Sequence, residues 1–219
     1  MARARETTVL LTGFEPFDGE TVNPSALAVA RLHGRVVAGA RVHAVVLPCA
    51  FGAARRALRR ALDRVDPAVT VCVGQAGGRA GITLERVAIN VDDARIPDNR
   101  GAQPVDRAVQ RGGPVGYWST LPIKAAVRSL REAGYDASVS QTAGTFVCNH
   151  VFYALMHALA SRPRARGGFV HVPYLPEQAA RAGGKPSMAL DDIAGALEVV
   201  VHTALTVRRD RRDIGGATH

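Results

Sequence analysis

The run from Ala137 to Leu159, "ASVSQTAGTFVCNHVFYALMHAL", decides the fold. "ASVSQ" reads as a short strand and "VCNHVFYALMHAL" has the apolar spacing of a helix, so a strand passes into a helix through a turn beside Cys148. A buried cysteine ordinarily serves as a small hydrophobe. A thiol at a helix N-terminus is different, because the unpaired N–H groups there favour its thiolate. The same residue thus stands for packing or for chemistry, and the rest of the chain must separate the two.

Outward from this stretch the alternation repeats. Strand-like runs are "TVLLTGF", "RVHAVVLP", "AVTVCVGQ", "LERVAINV", "DASVSQT" and "GFVHVPY"; helix-like runs are "SALAVARL", "GAARRALRRALDRV", "LPIKAAVRSLREAG", "VCNHVFYALMHALA" and "SMALDDIAGALEVVVHTALTV". Interleaving of this kind predicts an α/β fold with a mostly parallel sheet covered on both faces, and the near-continuous apolar strands agree. Asn23 before Pro24 predicts an N-cap with proline at the first helical position, and Ser187 is expected to cap the last helix. Two segments fit no regular element: "GFEPFDGETVN" after the first strand, and Asp92–Trp118, rich in Gly, Pro, Asp and Asn. Loops of that length in compact domains are usually functional or disordered. Ligands of open α/β sheets bind beyond the carboxyl ends of strands. Gly13–Asn23, Gln75–Arg79, Asp92–Tyr117, Cys148 and His171–Gln178 are therefore expected to converge.

With 219 residues, 47% apolar and 21% charged, the chain suits a single domain over residues 1–219 and lies far from disordered or fibrous compositions. No apolar run approaches the ~18 residues of a membrane span, and the opening lacks the pattern of a signal peptide, so a cytoplasmic protein without membrane association is expected. Three cysteines, Cys49, Cys72 and Cys148, are too few and too far apart for a disulfide framework or a CxxC metal site. The net charge of +9 could suggest nucleic acid, but 26 of the 28 basic residues are arginine, scattered through Ala- and Gly-rich sequence. "RRALRR" and "RRDRRD" read as solvated surface, and aromatic stacking partners are sparse, so no nucleic-acid partner is expected.

A thiol nucleophile needs a base to take its proton and a third group to orient that base. Of seven histidines, His150 points to another side of the helix carrying Cys148, and His157 lies about two and a half turns along it. His33, His43 and His202 fall away from the loop-rich end, and His219 is terminal. His171, near the end of the last strand, is the best partner, against the competing reading of a satisfied core histidine. Glu85 begins an apolar run where a carboxylate is costly unless it meets a cation or donor. An imidazolium would be such a partner. Phe14 and Phe17 read equally as a core lid or as walls of a pocket. "GQAGG" and "GFEPFDGE" match no phosphate-loop pattern.

The segments "LLTGFEPFDGETVNPS", "GQAGGRAGITLERVAINVDDARIPDNRGAQPVD", "TAGTFVCNHVFYALMH" and "GGFVHVPYLPEQ" resemble the signature segments of the type I pyroglutamyl peptidases, also called pyrrolidone-carboxylate peptidases. The resemblance runs from about Val9 to the final helix. It implies a three-layer α/β/α sandwich with a mostly parallel central sheet, of phosphorylase/hydrolase-like form. It also implies a cytosolic cysteine peptidase, commonly tetrameric, that removes N-terminal pyroglutamate from peptides through a thioester acyl-enzyme, with no cofactor or metal. By motif, Cys148 would be the nucleophile, His171 the general base and acid, and Glu85 the orienting acid. Arg95 and the Cys148 N–H would face the oxyanion, and Phe14, Phe17, Asn23, Gln75, Ile96, Phe146 and Val147 would line the pyroglutamyl pocket. One departure is Asp18, where family members usually carry glycine; aspartate tolerates φ > 0 if that position requires it. A nucleoside phosphorylase is the alternative enzyme class, disfavoured by the absence of a phosphate loop.

Overall fold

The computed structural model describes residues 6–216; the opening "MARAR" and the closing "ATH", with His219, lie outside the described residues. In chain order the elements are β1 (Thr8–Phe14), α1 (Pro24–Leu32), β2 (Val36–Val37), β3 (Ala40–Leu47), α2 (Ala53–Val65), β4 (Val69–Gln75), β5 (Ile82–Glu85), β6 (Val87–Ile89), β7 (Gly116–Trp118), α3 (Ile123–Glu132), β8 (Ala137–Ser140), α4 (Val147–Leu159), β9 (Arg166–Val172), α5 (Pro176–Arg181) and α6 (Leu190–Thr206). Seven strands make one sheet in the order β2-β3-β1-β4-β9-β5-β8, and β6 pairs with β7 in a separate ribbon.

The period-two alternation of side chains sorts the strands onto two cores. Val9 and Leu11 of β1 and Val69, Val71 and Val73 of β4 face α1, α3 and α6. Leu10, Phe14, Cys72 and Phe169 face α2 and α4 on the other side. The three-layer α/β/α arrangement follows directly, since each sheet face needs an apolar cover. On α2, Ala54, Leu58, Ala61 and Leu62 are buried at helical spacing while Arg56, Arg59 and Arg60 are exposed. Each fully buried leucine there contributes about 2 kcal/mol, and the arginine run is surface, as its spacing suggests.

The sheet is mostly parallel, with one reversal that matters. β3, β1, β4 and β9 run in one direction. β5 is antiparallel to β9 and parallel to β8, so β5 and β8 run opposite to those four, as does the short edge strand β2 beside β3. Cys148 therefore does not reach the shared site by lying beyond a carboxyl edge common to all strands. Residues 141–146, with Gly144 at φ +74°, turn the chain back from β8 so that α4 starts against β4.

Other departures from the expected elements have local causes. "LERVAINV" is not one strand: it breaks at Arg86, β5 staying in the main sheet and β6 leaving it to pair with β7. β7 itself closes the long connection that carries no periodic signal. Ser187 does not cap α6. The cap residue is Ala189, and Ser187 forms an isolated bridge with Tyr174; Asp191 and Asp192 in the first turn suit the positive end of the helix instead. Asn23 behaves as expected, its Oδ1 accepting from Ser25 N at 3.0 Å with Pro24 in the first turn. A Cβ on Gly13 would stand 2.6 Å from the Ser25 carbonyl, so the bare glycine lets α1 begin against the end of β1.

Candidate active site

Glycine at position 74 is what brings Cys148 to the sheet. A Cβ there would lie 2.9 Å from Cys148 Sγ and 2.8 Å from the ring of Phe169, so the thiol rests over bare backbone of β4. Gly74 is in register with His171 on the neighbouring parallel strand. Register partners point to one face, so the imidazole and the thiol share the face covered by α4. Phe169, two residues before His171, packs its ring 4.8 Å from the imidazole. His171 is 4% exposed.

Glu85 comes from the reversed strand β5, where Thr83 is the register partner of His171. Two residues on and on the same face, Glu85 Oε1 meets His171 Nδ1 at 2.7 Å. The same oxygen accepts from Arg79 Nη1 at 2.6 Å, and Arg79 also donates to Thr83 Oγ1 at 2.6 Å and to the Thr142 carbonyl at 3.1 Å. Glu85 is fully buried. A carboxylate in such a place requires compensation, and the guanidinium supplies it. With Nδ1–H donated to this carboxylate, the lone pair of His171 stands on Nε2, free to take a proton.

Burial pushes His171 below its ordinary value; the hydrogen bond it donates to Glu85 opposes this. The imidazole is thus neutral and basic at neutral pH. The thiol departs from expectation. Burial pushes Cys148 above the ordinary thiol value, with Cys49 and Glu85 acting in the same direction and Arg79 against them. With the thiol raised in this way and only half-buried, its proton passes to a base as it attacks. Phe146, the N-cap of α4, offers no side-chain cap. The first N–H groups of the helix, Cys148 among them, are left facing the turn.

The surrounding residues divide by exposure. Phe14 and Val147 are buried among the core side chains, whereas Phe17, Ile96 and Phe146 are half-buried. Phe17 and Phe146 approach to 6.0 Å, and Phe51 stands edge-on to Phe146 at 5.4 Å. Asp18 has φ +54°, the left-handed conformation that would suit glycine. Asn23 Nδ2 donates to the Glu15 carbonyl at 3.2 Å, which ties the 15–23 loop to α1. Asp93 N donates to the Thr145 carbonyl at 3.0 Å and Thr145 Oγ1 to the Asp93 carbonyl at 2.7 Å, so the loop bearing Arg95 runs beside the turn before Cys148. Arg95 itself is exposed, and its side chain has no hydrogen bond or ion pair among the described residues.

Three residues that shape this region were given no role by the sequence, although Arg79 and Gln178 end segments expected to converge. Arg79 carries no motif beyond standing six positions before Glu85. Phe51 lies in a turn with no periodic signal. Gln178 sits on α5, which is too short to register as a helix, yet it is fully buried and donates to Gln75 Oε1 at 3.1 Å. His150, set aside as a partner for the thiol, is held by Asp92 Oδ2 at 2.9 Å and accepts from Gly52 N at 3.1 Å, binding α4 to the 50–52 turn.

A buried acid–imidazole pair beside a thiol at the start of a helix defines a cysteine hydrolase, here built on a three-layer α/β/α sandwich. The pyroglutamyl peptidase family model matches residues 7–207, and the chain belongs to that family. It is 61% identical over 211 residues to a pyrrolidone-carboxylate peptidase of Erwinia tasmaniensis, covering 96% of this chain and 99% of the relative. A relative of the same name from Cupriavidus taiwanensis is 60% identical over 214 residues, 97% of this chain and 99% of its own. The crystal structure of Bacillus amyloliquefaciens pyroglutamyl peptidase I superposes with a TM-score of 0.92 at 49% identity, covering 94% of this chain and all of that one.

Proposed function

We propose that the protein removes N-terminal pyroglutamyl residues from peptides, with Cys148 as nucleophile, His171 as base and then acid, and Glu85 orienting the imidazole. It is a hydrolase and a peptidase by family. The observation that carries the residue roles is the buried Glu85–His171 pair at 2.7 Å on the sheet face over which the Cys148 thiol lies.

The thiol proton passes to His171 Nε2 as Sγ attacks the carbonyl that joins pyroglutamate to the next residue. The oxyanion is met by the Cys148 N–H at the helix start, with Arg95 on the adjoining loop. His171 returns its proton to the departing amine as the C–N bond breaks, leaving a thioester. Water, giving a proton to His171, then cleaves the thioester and restores the thiol. Pyroglutamate is a neutral lactam without a free α-amine, so the pocket needs apolar walls and a few amide partners but no counter-charge. Phe17, Ile96 and Phe146 supply the walls, backed by the buried Phe14 and Val147, and Asn23 and Gln75 the amides.

We read the chain as one domain acting in the cytoplasm as a homo-oligomer, a tetramer, which sedimentation velocity tests. Among the described residues no helix is long and apolar enough to cross a membrane. The activity is tested by release of a chromogenic amine from pyroglutamyl, prolyl and glutamyl amides. Cleavage of the pyroglutamyl amide alone is expected; equal rates on all three would overturn the pocket.

A further inference from the structure

We infer that Gln178 is a positioning residue that sets the polarity of the Gln75 amide, so that Gln75 turns its NH₂ group toward the ligand and recognises the substrate's ring carbonyl. This deepens the reading given under Proposed function and rests on it.

Two backbone groups that cannot exchange roles hold the Gln178 amide. Gln178 Oε1 accepts from Leu175 N at 3.1 Å, and Gln178 Nε2 donates to the Val22 carbonyl at 3.3 Å. A backbone N–H only donates and a backbone carbonyl only accepts. Turning the Gln178 amide over would set oxygen against oxygen and N–H against N–H in a site with no exposure to water. Its polarity is therefore fixed. The second Nε2 hydrogen goes to Gln75 at 3.1 Å, and only the Gln75 oxygen can receive it.

Gln75 is half-buried at the end of β4, and its Nε2 makes no hydrogen bond among the described residues. It follows Gly74, over which the thiol lies, at the carboxyl end of β4. Neighbouring strand side chains leave opposite faces, so the amide and the nucleophile meet one ring only at this open end of the strand, where the pocket proposed above is placed. Asn23 is committed in the same sense: its Oδ1 accepts from both Ser25 N and Ser25 Oγ, so its remaining capacity is one Nδ2 hydrogen. Both amides of the pocket thus present donors. The group on a pyroglutamyl ring that answers a donor is the lactam carbonyl, not the lactam N–H.

The test uses the full chain and three chromogenic amides: pyroglutamyl, 3-oxocyclopentanecarbonyl, which keeps the ring carbonyl and lacks the N–H, and prolyl, which lacks the carbonyl. Hydrolysis of the pyroglutamyl amide checks the activity itself. Given that activity, the ketone analogue should retain kcat/KM within about tenfold of the lactam, the scale of one hydrogen bond. A loss as large as that of the prolyl amide would overturn the polarity. Gln178→Leu should lower kcat/KM for the lactam by about tenfold or more through KM, with kcat little changed. Gln75→Met should do the same, and the double variant should match Gln75→Met alone. Multiplying losses would show that Gln178 acts independently of Gln75 and would overturn its role. If Gln178→Leu does not fold, the ketone analogue on the unaltered enzyme still decides the question.

Discussion

Arg79→Met is the perturbation that tests how the site holds its buried charge. The guanidinium reaches Glu85 Oε1 at 2.6 Å, with the Glu85 side chain fully buried and that of Arg79 29% exposed. Removing one member of a buried pair costs about 3–5 kcal/mol, because the other charge is left behind. Arg79 is partly solvated and His171 remains as a partner, so a loss near the lower end, about 3 kcal/mol, is expected in urea melts at pH 8. Catalysis should change in a specific direction. In the intact site Arg79 lowers His171 while Glu85 raises it, and burial holds the imidazole below its ordinary value of 6.5. The base is then free across neutral pH, and kcat/KM falls only as pH drops through that lowered value. Without the guanidinium, Glu85 favours an imidazolium, the acid limb moves upward, and activity at pH 6 should fall more than activity at pH 8. The assay is a pH profile of kcat/KM on a pyroglutamyl amide with melts at each pH. A folded variant with an unmoved acid limb would refute the reasoning and return Arg79 to the role of a surface ion.

Gly74→Ala should place a methyl group against Cys148 Sγ and Phe169, with overpacking of about 1–3 kcal/mol and a fall in kcat of tenfold or more; unchanged turnover would show that the thiol is not held over β4. Burial raises the Cys72 thiol from 9.0 to about 12, so the folded protein loses stability as pH rises past 9. Linkage puts the loss at about 2 kcal/mol by pH 10.5, and Cys72→Ala, though less stable at pH 8, should show a flatter alkaline decline in denaturant midpoints.

The particular residues show where legibility ended. The α/β alternation, the Asn23–Pro24 helix start and the strand-to-helix turn at Cys148 are written locally, because apolar period, capping chemistry and turn residues act within a few positions. His171 could be singled out by elimination, and Glu85 by the oddity of an acid in an apolar run. Their meeting was implied by the family resemblance and not by the local pattern, since it depends on β5 running against β9, and strand direction is settled by packing of distant segments. The roles of Arg79, Phe51 and Gln178 were illegible for the same reason, although Arg79 and Gln178 end segments expected to converge: each acts through partners supplied by other elements. The protonation state of Cys148 is the clearest case. The sequence places the thiol at a helix terminus, which favours its thiolate, but desolvation is a property of everything packed around a group, and only the assembled fold raises the thiol.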